Sequence, residues 1–481
     1  MTKIVLFIFG LLILQLNANA QGKIKVACIG ASITYGATIE NREQNAYPAQ
    51  LQKMLGNKFQ VINYGVGGTT LLKKGDSPYW VTNEYKAALA ASPDVVIIDL
   101  GGNDSKLINR VHLSEYESDY HEFVRSFTQL RSHPRIVLLL AMPSFSKDTT
   151  AIWDPVIINR VNPHIQQVAF DNKVEVIDMH SLFVDKEAIM ADKIHPNKEG
   201  ATIMAQTVYE NIAQKKDTAF NIFSKLKTGY KISSFYGYEC ADFTFDDREC
   251  KIVKPKWSAR GHPWIWRARF WGHEPQTDIS LLQRGFHLVY CDVAELLGNN
   301  ESIKYWNNFY NLLFKAGLAK KAAMEGMSRG GVYVFNWAAV NPDKVACVYV
   351  DNPLLNIPSW AEGHIKTPAA KDDMFEAFKK DYNLTTDEQV CKFKGSPVDK
   401  IEQIVKGKYP ILILCADADE AVSPKDNTML FEKKVKALNG NITVIHKPGF
   451  KHHPHSLPNP TPIVDFILKA TGQYLQIAEN N

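Results

Sequence analysis

Two glycine-flanked serine turns, Gly30-Ala31-Ser32-Ile33-Thr34 and Gly326-Met327-Ser328-Arg329-Gly330, each follow a short apolar run in opposite halves of the chain. A serine held at a strand end among small residues demands a strand–turn–helix unit, and such units are parts of open α/β sheets. One turn of this kind implies one sheet. Two of them predict two sheets, which suits a chain of 481 residues, too long for a single ordinary core.

The pattern between the turns agrees. Ile24–Ile29, Phe59–Asn63, Val95–Leu100, Ile136–Ala141 and Val174–Ile177 read as strands, with helices over Tyr47–Leu55, Tyr116–Gln129 and Asn159–Asp171 between them. Ala201–Gln214 reads as a closing helix. Strands alternating with helices imply parallel pairing, because a crossover needs a helix to return the chain. Open parallel sheets place ligands beyond the C-terminal ends of their strands, where Ser32, Gly68 and Asn103 all fall. Residues 217–232 read as a polar linker between a unit over 21–216 and another over 233–475. Beyond it, Tyr236–Thr244 and Glu249–Pro255 suggest an antiparallel hairpin. Phe286–Asp292, Ala322–Gly326, Lys344–Val350, Tyr409–Ala416 and Ile442–Lys447 read as a second set of strands. Gly330–Asn341, Thr428–Leu438 and Thr461–Lys469 read as helices, and no internal repeat is visible.

At the N-terminus, Lys3 precedes the apolar run Ile4–Leu16, and Ala18-Asn19-Ala20 follows as a small-residue cleavage site. This is the layout of a signal peptide over residues 1–20, so a periplasmic or secreted protein starting near Gln21 is expected. The run is short for a membrane span. A formal charge of +4 gives no reason to expect nucleic acid or a membrane surface as a partner. Seven cysteines are sparse for an exported chain of this length. Cys28, Cys291, Cys347 and Cys415 lie in apolar runs as buried thiols, whereas Cys240 and Cys250 flank the expected hairpin turn and could bridge it.

A serine hydroxyl becomes a nucleophile only beside a base, and the oxyanion it creates must meet preset donors. The first half supplies each part: Ser32 as nucleophile, His195 in Asp192-Lys193-Ile194-His195-Pro196 as base, and Asp192 to orient the imidazole. Ser32, Gly68 in Asn63-Tyr64-Gly65-Val66-Gly67-Gly68, and Asn103 in Gly101-Gly102-Asn103-Asp104 are candidate oxyanion donors. These blocks resemble the SGNH (GDSL) hydrolases, over roughly residues 23–215. The resemblance implies a flavodoxin-like, three-layer α/β fold around a parallel sheet. Where that family has Asp before the serine, this chain has Ala31.

In the second half, Ser328 is followed by Asp419 in Cys415-Ala416-Asp417-Ala418-Asp419 and by His452 in Gly449-Phe450-Lys451-His452. The order Ser, Asp, His and the elbow resemble the α/β-hydrolases, over residues 233–475. The resemblance implies that the Arg329 N–H forms half of an oxyanion hole. The other half is expected from a loop around Trp266-Arg267. His453 and His455 leave the choice of base open. Trp264, Trp266 and Trp271 suit stacking on sugar rings, although large aromatics more often fill cores. The run His452-His453-Pro454-His455 lacks Cys or acidic partners at zinc spacing, so no metal or other cofactor is expected. Two serine sites behind a signal peptide suggest an esterase that removes O-acyl groups, acetyl first, from glycans. A lipid or general carboxylesterase, or a glycan-binding protein with one inactive site, are the alternatives.

Overall fold

The computed structural model describes residues 22–366 and 373–475. The expected signal peptide lies outside them. No helix among the described residues is long and apolar enough to cross a membrane.

The first sheet comprises β1 (Ile24–Gly30), β2 (Phe59–Gly65), β3 (Val95–Asp99), β4 (Arg135–Leu139) and β5 (Glu175–Ile177), in the order β2-β1-β3-β4-β5. Every pairing is parallel. Successive side chains of a strand point to opposite faces, and the buried strand residues join two core clusters in alternation. Val26, Cys28, Val95, Ile97, Val137 and Leu139 pack with Tyr47, Leu51, Met204 and Val208 from the helices Tyr47–Leu55 and Lys198–Ala213. Ala27, Ile29, Val96, Ile98 and Leu138 pack on the other face with Tyr120, Phe123, Ile165 and Val168 from Tyr116–Thr128 and Asn162–Asn172. The result is the three-layer, flavodoxin-like arrangement expected. In this strand order the direction of winding reverses between β1 and β3. Ser32 follows β1 and Asn103 follows β3, so both sit at that reversal.

The second sheet has nine strands: β6 (Lys231–Phe235), β7 (Tyr238–Phe245), β8 (Arg248–Val253), β9 (Trp264–Arg267), β10 (His287–Cys291), β11 (Ala322–Met327), β12 (Val345–Asp351), β13 (Ile411–Ala416) and β14 (Ile442–Lys447). Their order is β14-β13-β12-β11-β9-β10-β8-β7-β6, parallel from β14 to β10 and antiparallel beyond. The crossing of β9 and β10, with a serine elbow after β11, makes this an α/β-hydrolase fold.

Three features differ from the sequence reading. Trp266 and Arg267 are strand residues in β9, not loop residues. The segment read as linker is not free chain: Lys216–Asp217 pairs with Ser258–Ala259, Ile222 and Phe223 are buried, and β6 begins at Lys231. The hairpin forms, but Cys240 faces Val253 and Cys250 faces Phe243, so the two cysteines are not cross-strand partners and both are free. Cys250 instead lies opposite Cys291 of β10.

The two halves also share apolar packing. Phe235, Tyr238, Leu282, Leu288, Leu412 and Ile463 belong to the same buried cluster as Ile98, Phe123 and Ile165. Polar contacts cross the seam too. Tyr238 Oη donates to the Val176 carbonyl at 2.9 Å, Asn211 Nδ2 donates to the Gln283 carbonyl at 3.1 Å, and Arg284 pairs with Glu210 at 2.7 Å.

Candidate active sites

Ser32 opens a single helical turn, Ser32–Tyr35, directly after β1. The turn is drawn close to the sheet by its glycines. A Cβ on Gly30 would stand 2.1 Å from Thr34 Oγ1, and one on Gly65 would stand 2.2 Å from the Tyr35 nitrogen. Asn63 Nδ2 donates to the Thr34 carbonyl at 2.8 Å, which joins the Asn63-Tyr64-Gly65 block to the serine turn. Thr34 Oγ1 donates to Asp99 Oδ2 at 2.9 Å. Burial pushes the Asp99 carboxyl up to about 6, against the lowering effect of that bond. Asp99 thus braces the turn from β3, in a chain where Ala31 offers no carboxylate.

His195 Nε2 lies 2.7 Å from Ser32 Oγ, and its Nδ1 lies 2.7 Å from Asp192 Oδ2. The other Asp192 oxygen accepts from the backbone N–H groups of Ile194 and His195 at 3.1 and 2.8 Å. Partial burial raises the Asp192 carboxyl, but the hydrogen bonds from His195 outweigh it and hold the group below the usual range. An ionised Asp192 fixes the imidazole tautomer that presents a bare Nε2 to the serine, the arrangement of a catalytic triad.

Asn103 is buried, and its Nδ2 donates to the Thr69 carbonyl at 3.0 Å, leaving the second amide proton for a ligand. The N–H groups of Ser32 and Gly68 make no hydrogen bond among the described residues. Gly68 has φ +80, a conformation that favours glycine. Asp104 is a supporting residue that the sequence did not single out. It accepts from Leu71 and Leu72 N–H at 3.1 and 2.8 Å and so holds the loop that carries Gly68. Ser32 and Asn103 line a cavity of about 30 Å³ walled by Ala31, Ile33, Ala141, Met142, Ile152 and Ile194.

The second site is built by the same logic on unrelated elements. Ser328 stands between β11 and the helix Gly330–Val340 with φ +50, a strained conformation for a serine and the mark of a nucleophile elbow. A Cβ on Gly326 would meet the Gly330 carbonyl at 2.7 Å, which is why position 326 is a glycine. His452 Nε2 lies 3.0 Å from Ser328 Oγ, and its Nδ1 lies 2.7 Å from Asp419 Oδ2. His452 is therefore the histidine aligned with the serine, and His453 and His455 are not. Asp419 Oδ1 accepts from Ala421 and Val422 N–H, both at 2.9 Å. Burial raises this carboxyl too, and the bonds from His452 and the two N–H groups hold it below the usual range.

Asn352, also not anticipated, ties this site together. It ends β12 in a left-handed conformation, donates to the His452 carbonyl at 2.9 Å and accepts from Ala416 N–H at 2.7 Å. Arg329 follows the serine at the start of the helix, where an oxyanion donor is expected. Trp266 and Arg267 lie within β9, so the loop expected to carry the second donor starts just beyond them. The Arg267 side chain is buried and paired with Asp278 and Glu325, and the loop begins only after it. Trp264 and Trp266 are fully buried in contact with each other and cannot stack on a ligand. Trp271 is half-buried against Phe235 and Tyr290.

Comparison with known proteins agrees with the first of these folds at the level of sequence. Residues 28–203 match the GDSL-like Lipase/Acylhydrolase family. An acetylxylan esterase of Xylanibacter ruminicola is 37% identical over 212 residues, covering 40% of this chain and 44% of that protein. The chain thus spans less than half the length of this relative. Among solved structures, Est1E from Butyrivibrio proteoclasticus aligns over 48% of this chain and 99% of its own, at 20% identity and a TM-score of 0.36. The Pyrococcus horikoshii acylaminoacyl peptidase aligns over 53% of this chain and 44% of its own, at 15% identity and a TM-score of 0.36. At such scores the likeness carries no weight, and the α/β-hydrolase assignment rests on the strand order and the elbow.

Proposed function

We propose that this chain is an exported serine esterase with two catalytic domains, residues 21–216 and 233–475, that removes O-acetyl groups from complex glycans. The observation that carries this reading is the completeness of both triads, each with serine, histidine and carboxylate already at hydrogen-bond distance. In the first site, Ser32 Oγ attacks the ester carbonyl as His195 Nε2 takes its proton, while Asp192 stabilises the imidazolium. The oxyanion is met by the Ser32 and Gly68 N–H groups and by Asn103 Nδ2. His195 then protonates the departing sugar oxygen and later deprotonates the water that releases acetate. Ser328, His452 and Asp419 run the same sequence with the Arg329 N–H as one oxyanion donor.

The small cavity beside Ser32 supports a short acyl group. At about 30 Å³ it is far smaller than the pockets that enclose drug-sized ligands, which favours a short acyl group over a fatty chain. The acetylxylan esterase among its relatives supports an acetylated polysaccharide as the substrate class. Labelling the full chain with a fluorophosphonate, followed by peptide mapping, tests the reading. Modification of both Ser32 and Ser328, together with acetate release from acetylated xylan oligosaccharides, is expected. Labelling of one serine alone would reduce the protein to a single working site.

A further inference from the structure

Three histidines that are far apart in sequence meet beside the second triad. His273 lies in the loop after β9, and His453 and His455 lie just past His452 in the loop after β14. The His273 ring centroid is 5.9 Å from that of His453 and 5.8 Å from that of His455, and the latter two are 4.8 Å apart. Their planes cross at 80–89°. One nitrogen from each ring can be taken so that all lie within 4.8 Å of one another. Around a tetrahedral zinc with Zn–N bonds of about 2.0–2.1 Å, ring centroids stand about 5 Å apart and nitrogens about 3.3 Å. The centroids are already at that spacing to within about an ångström, and small ring rotations converge the nitrogens.

The support behind the rings has the same character. His455 is buried, with Nδ1 3.2 Å from Asp351 Oδ1, which fixes its tautomer and leaves Nε2 as a lone-pair donor. A carboxylate behind an imidazole is the usual outer support of a metal-binding histidine. Asp351 is itself anchored by the Ser456 N–H at 2.6 Å and by Lys447 Nζ at 3.1 Å. The ring nitrogens of His273 and His453 have no hydrogen bond among the described residues.

We propose that His273, His453 and His455 form a binding site for one divalent transition-metal ion, with zinc as the type case and water completing its shell. An all-imidazole set favours zinc, copper or nickel over magnesium or calcium, which prefer oxygen. The site was invisible in the run His452-His453-Pro454-His455, because its third ligand comes from a different loop. The His452 ring lies 4.9 Å from those of both His453 and His455. A cation held there opposes the positive charge that His452 gains when it takes the Ser328 proton. Occupancy therefore slows the second site and spares the first. This consequence rests on the esterase reading, whereas binding does not.

The test is calorimetric titration of the chelator-stripped full chain with zinc chloride. One ion per chain at micromolar affinity or tighter is expected, weakened at least tenfold in His273→Ala and in His453→Ala. Asp417→Asn, in the separate group Cys415, Asp417 and His446, should leave that affinity unchanged. Absence of a site tighter than millimolar in the folded wild type, or histidine variants that bind as the wild type does, overturns the proposal. Saturating zinc should slow the ester hydrolysis left in Ser32→Ala at least tenfold and leave that in Ser328→Ala intact. Zinc bound at these histidines with no change of rate overturns the link to His452. A Ser32→Ala protein inactive even without zinc would instead count against the second site as an esterase, while the calorimetry still decides the metal site.

Discussion

Replacing Asn103 by Ala isolates the contribution of one proposed oxyanion donor. The side chain is 4% exposed, and its backbone carbonyl is held by Asn109 Nδ2 at 2.8 Å, so truncation removes the amide without freeing the turn. Two effects follow, of different size. The Thr69 carbonyl loses a hydrogen bond worth about 1 kcal/mol, which should lower the melting temperature by about 2–4 °C. The transition state loses a donor in a site shielded from water, worth about 2.7–4 kcal/mol, or a fall in kcat of about 10²–10³. The assay is acetate release from a small acetyl ester in a Ser328→Ala background, so that only the first site reports. A kcat within about threefold of the parent, with the change confined to KM, would refute Asn103 as a transition-state donor and leave it a binding group.

Other perturbations report on the remaining parts. Ser32→Ala should abolish the first activity and leave Ser328-dependent hydrolysis of a small ester intact, and the reverse for Ser328→Ala; a folded single mutant silent at both sites would break the two-site scheme. Asp192→Asn should lower the first site's kcat by about 10³–10⁴ in stopped-flow or steady-state assays, because the His195 tautomer is no longer fixed. Asn352→Ala, which frees the His452 loop and the end of β13, should slow only the Ser328 site, measured in the Ser32→Ala background. Asp99 has a folded pKa raised by burial to about 6, so the folded chain holds a proton that the unfolded chain has released. Stability should therefore fall as pH rises from about 4 to about 6, by about 3 kcal/mol for this group. Asp99→Asn keeps an acceptor for Thr34 and should flatten that part of the decline in urea denaturation, and an unaltered pH dependence would refute the assignment.

Most of the parallel architecture was legible because its strands are short apolar runs and its helices lie between turn signals. The two candidate nucleophiles were legible because each follows a strand in a tight turn, and Asp192 and His195 through their three-residue spacing before Pro196. What escaped had no local signal. β9 is four buried residues with an arginine among them, and Arg267 is tolerable there only because Asp278 and Glu325 arrive from elsewhere to pair with it. The helix Asn300–Lys315 buries Trp306, Phe309, Tyr310 and Leu313 at helical spacing behind an Asn299 cap, a period that could have been read and was not. Asp104 and Asn352 act through loops distant in sequence, so their roles appear only once the chain is folded. The same holds for Cys250, whose neighbour across the ladder is Cys291 and not the hairpin partner that spacing suggested.

The apolar seam between the halves bears on how such a protein can be recombined. Tyr238 and Phe235 from the second sheet's antiparallel edge sit in the same cluster as the helices of the first half, and buried amide contacts cross between them. A gene cut between the two sites would leave each product with an exposed oily face, and a graft of either half onto a foreign module would need a matching face to cover it. Inheritance and engineering alike are thus constrained to move the pair as one cassette, and new substrate preferences should arise from changes in the loops around Ser32 and Ser328 before any exchange of whole units.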